Sequence, residues 1–251
     1  MHKDEIYFPN GNRALFVTLP LKTNVHDILE ALNIEYPTPL MIIVGGAGNL
    51  VEPLKSHLAS LFHHSIASVA ASTGATIIDG GTHTGVMALI GQGVAAQGNV
   101  STLLGISPAG LVTYPGEPIT ERSNNAAELD PNHSHFVLVE GDAWGSETAT
   151  MFALAQALST DRPVVTILIN GGSIAIQEAL QTVRYGWPLL VIEGSGRTAD
   201  TIAHLWRERP AIIEDEALRE IITKGRISLL PLTSSEDEVK RRITQILQTV
   251  P

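Results

Sequence analysis

Residues 164–200, VVTILINGGSIAIQEALQTVRYGWPLLVIEGSGRTAD, constrain the fold more than any other stretch of the chain. Val164–Ile169 has the composition of a strand buried on both faces. Asn170-Gly171-Gly172-Ser173 breaks that run, and residues 174–185 follow with helical spacing. Residues 189–192 form a second buried strand, closed by Glu193-Gly194-Ser195-Gly196-Arg197. Strand, helix and strand at these lengths predict a βαβ unit. Its crossover is right-handed, so both glycine turns leave one edge of a parallel sheet.

The same plan recurs along the chain. Residues 40–44 end in Gly45-Gly46-Ala47-Gly48-Asn49, and a long helix is expected to about residue 72. Residues 75–79 end in Gly80-Gly81-Thr82-His83-Thr84-Gly85 before a helix to about 97. Residues 135–140 end in Gly141-Asp142-Ala143-Trp144-Gly145-Ser146 before a helix to about 158. Further strands are expected at 13–20, 102–106 and 226–230. Further helices are expected at 23–32, at 198–209 with Thr198 as cap, at 214–223 and at 236–247. Residues 107–132 are rich in proline and glycine with little periodicity, the mark of a functional or mobile loop. The fold class is α/β: a three-layer Rossmann-like fold, its sheet mostly parallel, with helices on both faces. A single domain over 1–251 is expected, with a core at about 14–209 and an extension at 210–251.

Composition narrows the function. There is no cysteine, which excludes disulfides and thiolate metal or redox sites. The formal net charge of −10 argues against nucleic acid as a partner, since that needs a basic face. No apolar run approaches the roughly 18 residues of a membrane span, and a cytoplasmic protein is expected. An anionic ligand must then be held by local groups.

Glycine turns that open helices supply such groups. Their backbone N–H groups approach an anion closely, and each helix start adds about half a positive charge. In open α/β sheets the ligand lies beyond the carboxyl ends of the strands, where strand order reverses. The candidate ligand-binding residues are therefore Gly45, Gly46, Ala47, Gly48 and Asn49; Gly81, Thr82, His83, Thr84 and Gly85; Asp142, Trp144 and Gly145; Gly171, Gly172, Ser173 and Glu178; and Glu193, Gly194, Ser195, Gly196 and Arg197. Arg197 suits a phosphate. Strand-end Asp79, Glu140, Asp142 and Glu193 suit ribose hydroxyls, although each also reads as a backbone or solvent contact. Asn49 with Glu52 has the form of a capping box, Ser173 reads as a helix cap, and Trp144 reads as core before it reads as a base-stacking residue. Glu178 faces either the site or solvent. His133 and His135 share a strand face but have no third ligand at metal spacing, so no metal is expected. His63 and His64 are expected on the surface of a helix, pointing apart.

At these residues the chain resembles a known family. VGGAGNL, DGGTHTGVM, LDPNHSHFVLVEGD and VIEGSGRTAD are similar to the SLOG-type domain of melastatin-type TRP cation channels, the LSDAT family, in its stand-alone prokaryotic form. The resemblance runs from about residue 14 to 204. It implies a Rossmann-like sheet that binds an NAD-derived nucleotide such as ADP-ribose and serves as a sensor, with no cofactor required. The wider superfamily includes LOG-type phosphoribohydrolases with a P-G-G-x-G-T-x-x-E motif. Here the run is Asn170-Gly171-Gly172-Ser173-Ile174-Ala175-Ile176-Gln177-Glu178: the glycine pair and the glutamate are kept, while the proline, third glycine and threonine are replaced. Isoleucine at 174 is expected to close the approach that glycine allows, which favours binding over hydrolysis. Three functions stand open: a nucleotide sensor, a nucleotide N-glycosidic hydrolase using Glu178, and an oligomeric scaffold without ligand. A homo-oligomer or a separate effector protein is the expected partner beside the small molecule.

Overall fold

A computed structural model describes residues 1–20, 23–46, 48, 52, 54–117 and 126–248. The chain begins with strands β1 (His2–Tyr7) and β2 (Arg13–Leu19), helix α1 (Val25–Leu32) and strand β3 (Leu40–Gly45). Helices α2 (Leu54–Leu61) and α3 (Ala67–Thr73) lead to β4 (Thr76–Asp79), α4 (Gly85–Ala96) and β5 (Leu103–Pro108). Two short strands, β6 (Val112–Thr113) and β7 (Ala127–Glu128), precede β8 (His135–Val139) and α5 (Thr148–Leu158). Then come β9 (Val164–Ile169), α6 (Ser173–Arg184), β10 (Pro188–Glu193), α7 (Arg197–Glu208), α8 (Glu216–Lys224), β11 (Arg226–Pro231) and α9 (Glu236–Gln248).

Nine strands form one sheet in the order β1-β2-β8-β5-β4-β3-β9-β10-β11. Every neighbouring pair is parallel except β1 with β2. From β3 the chain moves outward through β4 and β5, then returns to the other flank of β3 through β9, β10 and β11. The strand order therefore reverses between β3 and β9, where a crevice is expected at the carboxyl edge.

Period-two alternation divides the core between two faces. Leu40, Ile42 and Val44 of β3 pack with Ile28, Phe152, Ala179, Ile202 and Ile221, from α1, α5, α6, α7 and α8. Met41 and Ile43 pack on the opposite face with Leu58, Ala70, Ile90 and Ile243, from α2, α3, α4 and α9. This is the expected three-layer Rossmann-like arrangement. A third cluster around Ile6, Phe16, Phe136 and Leu138 supports the antiparallel edge.

Three expectations are corrected. β1 was not foreseen, because HKDEIY buries only Ile6 and otherwise presents polar side chains at the edge. The long helix to residue 72 is broken by a π-turn at Phe62–Ile66. Helix α4 passes so close there that a Cβ at Gly93 would lie 3.0 Å from the Phe62 carbonyl oxygen, and Gln97 donates to the His63 carbonyl at 3.2 Å. Widening that turn accommodates the crossing. It also brings the His63 and His64 rings together, with centroids 4.2 Å apart, rather than pointing them apart. The segment 107–132 contains the β6–β7 pair; residues 118–125 lie outside the described residues.

Candidate functional site

The turns after β3, β4, β8, β9 and β10 all lie at the carboxyl edge, because these strands are parallel. Two of these strand ends meet closely at the β3–β9 reversal. A Cβ at Gly45 would stand 2.5 Å from the Ile169 carbonyl oxygen, so glycine is needed for the two strand ends to meet. Asn170 adopts the left-handed conformation at φ 58°. Its side chain accepts from Gly171 N at 2.9 Å and donates to the Ser195 carbonyl at 2.7 Å, while Ser195 Oγ accepts from Asn170 N at 2.8 Å. Thr198 Oγ1 donates to the Gly171 and Gly172 carbonyls at 3.2 and 3.0 Å. These bonds fasten the turn after β9 to the turn after β10.

The two helix starts differ in what they leave open. At α7, the N–H groups of Thr198 and Ala199 bond the carbonyls of Gly171 and Asn170 at 3.4 and 3.0 Å. Thr198 does not cap that helix; Gly196 does, without a side-chain bond. At α6 the cap is Gly172, also without a side-chain bond, and Ser173 is the first helical residue rather than the cap. The Ser173 and Ile174 N–H groups have no hydrogen-bond partner among the described residues. Helices α4 and α5 likewise start without a side-chain cap. By contrast, α1 and α8 are capped by Asn24 and Asp215.

Over the open α6 start lies Arg197. Its Nη2 is 2.9 Å from where a Gly172 Cβ would stand, and its Nη1 is 3.6 and 3.8 Å from the corresponding points at Gly46 and Gly48. The guanidinium makes no hydrogen bond or ion pair among the described residues, and its backbone is left-handed at φ 50°. An arginine without a partner among the described residues, set against three glycines, is a ready anion cradle. Ala47 and Asn49, with the proposed capping box, lie outside the described residues.

Beside this cradle, between the starts of α5 and α6, is a cavity of about 470 Å³ lined by Trp144, Gly145, Ser146, Thr148, Ser173 and Ile174. Trp144 is 38% exposed, which corrects its assignment to the core. Ser146 Oγ and Thr148 Oγ1 are buried without partners among the described residues. Ile174 sits 3.6 Å from where a Gly145 Cβ would stand, so it walls this cavity. Asp142 is exposed nearby.

Glu178 is only 9% exposed, and its carboxyl forms no hydrogen bond or ion pair among the described residues. That overturns the expectation of a solvated glutamate. Burial, then the charges of Glu147 and Asp79, push its pKa up to about 8. Glu147 itself accepts from Gly145 N at 2.8 Å, and burial raises its pKa too.

The turn after β4 is built differently. Asp79 is fully buried and accepts from Gly81 N at 2.7 Å and from His133 Nε2 at 2.8 Å. The other ring nitrogen, Nδ1, lies 3.1 Å from Asp130 Oδ1, which also accepts from Asn132 N at 2.9 Å. Burial opposes charge on His133, but the Asp79 charge and the bonds to Asp130 and Asp79 prevail, and its pKa rises to about 9. Thr82 and Thr84 bond each other at 3.0 Å, and His83 lies 3.7 Å from Asp130. Gly81, at φ 69°, passes so close to Gly105 that a Cβ would lie 2.8 Å from its Cα. Asp79 is thus inaccessible to a ribose. Glu193 is held by Arg207 through two bonds of 2.7 Å, while Gly194 N donates to Asp200 at 2.7 Å.

Asn170, Thr198, Asp130 and His133 were not among the candidate site residues. The Asp-Pro-Asn-His spacing marks Asp130 and His133 as a local pair, but their partner Asp79 is 54 positions away in sequence from His133. Burial pulls the His135 pKa down to about 4, and among the described residues no group of three or more His, Asp or Glu side chains is placed to hold a metal ion. Nor is any described helix long and apolar enough to cross a membrane.

The family model described as SLOG in TRPM, prokaryote, matches residues 38–241. The chain is 31% identical to transient receptor potential cation channel subfamily M member 2 of Rattus norvegicus, over 68% of this chain and 14% of the channel. It is 27% identical to the subfamily M member-like 2 channel of Nematostella vectensis, over 87% of this chain and 16% of that protein. The Drosophila melanogaster channel trpm is 29% identical over 76% of this chain and 11% of its own length. The chain therefore spans about a sixth or less of the length of these curated relatives. It belongs to the prokaryotic SLOG-in-TRPM family, which supports a ligand-binding domain.

Proposed function

We propose that this protein binds an NAD-derived nucleotide such as ADP-ribose at the carboxyl edge and acts as a nucleotide sensor. The observation that carries this reading is the Arg197 guanidinium, without a partner among the described residues, over Gly46, Gly48 and Gly172 at an α6 start that no side chain caps. A diphosphate there gains charge-assisted bonds from Arg197 and from the Ser173 and Ile174 N–H groups. The neighbouring cavity of about 470 Å³ suits the remainder of the ligand, with Trp144 as a stacking face and Ser146 and Thr148 as unused hydroxyls. Thermal unfolding with ADP-ribose, NAD, cyclic ADP-ribose and AMP tests the reading. A bound ligand at about 100 times its dissociation constant adds roughly 2.7 kcal/mol, a rise of several degrees. No rise with any of the four removes it.

One observation favours a second reading. A carboxyl held neutral near pH 7 by burial, as Glu178 is, has the protonation state of a general acid. In a nucleotide N-glycosidic hydrolase it would protonate the departing base. Release of free base from AMP or NAD, lost in Glu178→Gln, supports that activity; no release from either substrate eliminates it.

A further inference from the structure

At the opposite, amino edge of the sheet lies a second cavity, of about 800 Å³, within the size range of small-molecule sites. Its floor includes Val164, Pro188 and Arg226, the first residues of β9, β10 and β11. A six-residue strand spans about 20 Å, so this cavity is distinct from the carboxyl-edge crevice.

Two features set its lining apart. One is aromatic. The Tyr185 and Trp187 rings stack with centroids 4.7 Å apart and planes at 22°, backed by Phe152, and Trp206 lies on the same wall. The other is cationic. Arg162, Arg226 and Arg242 line the cavity, against a single carboxylate, Asp161. Arg226 donates to the Gly186 carbonyl at 3.3 Å and Arg242 to Ser228 Oγ at 2.9 Å, so both are oriented by neutral partners. None of the three forms an ion pair among the described residues, whereas Arg184, Arg207 and Arg219 pair with Glu220, Glu193 and Glu216. In a chain of net charge −10, three arginines without an ion pair among the described residues line one cavity and give it a local positive charge that an anion would neutralise.

We propose that the amino-edge cavity binds an aromatic anion of nucleoside monophosphate size, its ring against Tyr185 and Trp187 and its phosphate on Arg162, Arg226 and Arg242. The site is independent of the carboxyl-edge reading. The ring gains stacking contact, and the phosphate gains charge-assisted bonds in a concave setting that excludes part of the solvent.

The chain has three tryptophans, so Trp144→Phe leaves indole fluorescence only at Trp187 and Trp206, both on this cavity. In that background AMP is expected to change the emission saturably, with adenosine and inorganic phosphate each binding more weakly. Adding Arg162→Ala and Arg242→Ala is expected to weaken AMP by about tenfold or more. If the double arginine variant loses its fold, Arg162→Glu alone keeps the test, since that side chain makes no bond among the described residues. Four results overturn the proposal: no saturable change up to about 1 mM AMP, a range in which even weak ligands bind; equal affinity after arginine removal; adenosine binding as tightly as AMP; or a dimer by sedimentation that Arg162→Glu disperses and AMP leaves intact.

Discussion

The turns after β4 and β9 look alike in sequence, each a glycine pair between a buried strand and a helix, yet the molecule uses them in opposite ways. After β4, most polar groups engage one another: Asp79, His133 and Asp130 form a fully buried chain of hydrogen bonds, and only the second carboxylate oxygens of Asp79 and Asp130 lack a hydrogen-bond partner among the described residues. After β9, Asn170, Ser195 and Thr198 brace the backbone from behind, while the α6 N–H groups and Arg197 have no partner among the described residues. Glycine permits close approach in both turns. Only the bonding state of the surrounding polar groups separates a structural turn from a candidate binding one.

The contrast can be broken most directly at His133. Replacing it with leucine strands two buried carboxylates and is expected to cost about 3–5 kcal/mol of stability in urea denaturation. Arg197→Ala, with no side-chain partner to lose among the described residues, is expected to change stability by less than about 0.5 kcal/mol. Equal losses would erase the distinction. Next in size, Arg197→Ala is expected to cost about 1.5–3 kcal/mol of ADP-ribose affinity.

Within the β9 turn, the two glycines should part company. Gly171 has φ 99°, and a Cβ there would lie 2.6 Å from Ala175 Cβ, so Gly171→Ala is expected to destabilise by about 1–3 kcal/mol. Gly172 has an ordinary φ of −111° and faces only the mobile end of Arg197. Gly172→Val is expected to spare the melting temperature and weaken ligand binding. A variant that melts early but binds normally would reverse that assignment.

The smallest expected effect per step is in pH. Glu178 titrates near 8 in the folded chain against 4.5 unfolded, so the folded state holds the extra proton and stability falls as pH rises from about 4.5 to 8. His133 moves from 6.5 to about 9, so its contribution is complete below 6.5 and is lost as pH rises through 9. Each group adds a slope of at most about 1.4 kcal/mol per pH unit. Glu178→Gln is expected to flatten the stability profile between pH 5 and about 6.5 while leaving the decline toward pH 9. An unchanged profile would mean that Glu178 reaches solvent.

Much of this was legible in sequence because buried parallel strands and glycine turns leave local marks. Val164–Ile169, the turn at 170–173 and the strand that follows were readable from residue type alone. β1 was not, since one buried residue in six leaves no alternation to detect. The π-turn was not, since it lies against Gly93 of another helix, a contact that no local pattern records. At the site, the turns could be found but not told apart. Asp79 reads as a ribose acceptor until its distant partner His133 is seen, and Glu178 reads as solvated until α6 is packed against the sheet.

Calorimetric titration of ADP-ribose into the unaltered protein and Arg197→Ala at pH 7 tests the central claim most directly. Saturable binding is expected for the first and affinity lower by at least about tenfold for the second, with both equally folded by circular dichroism. Equal affinity in the two proteins, or no binding to either, would contradict it.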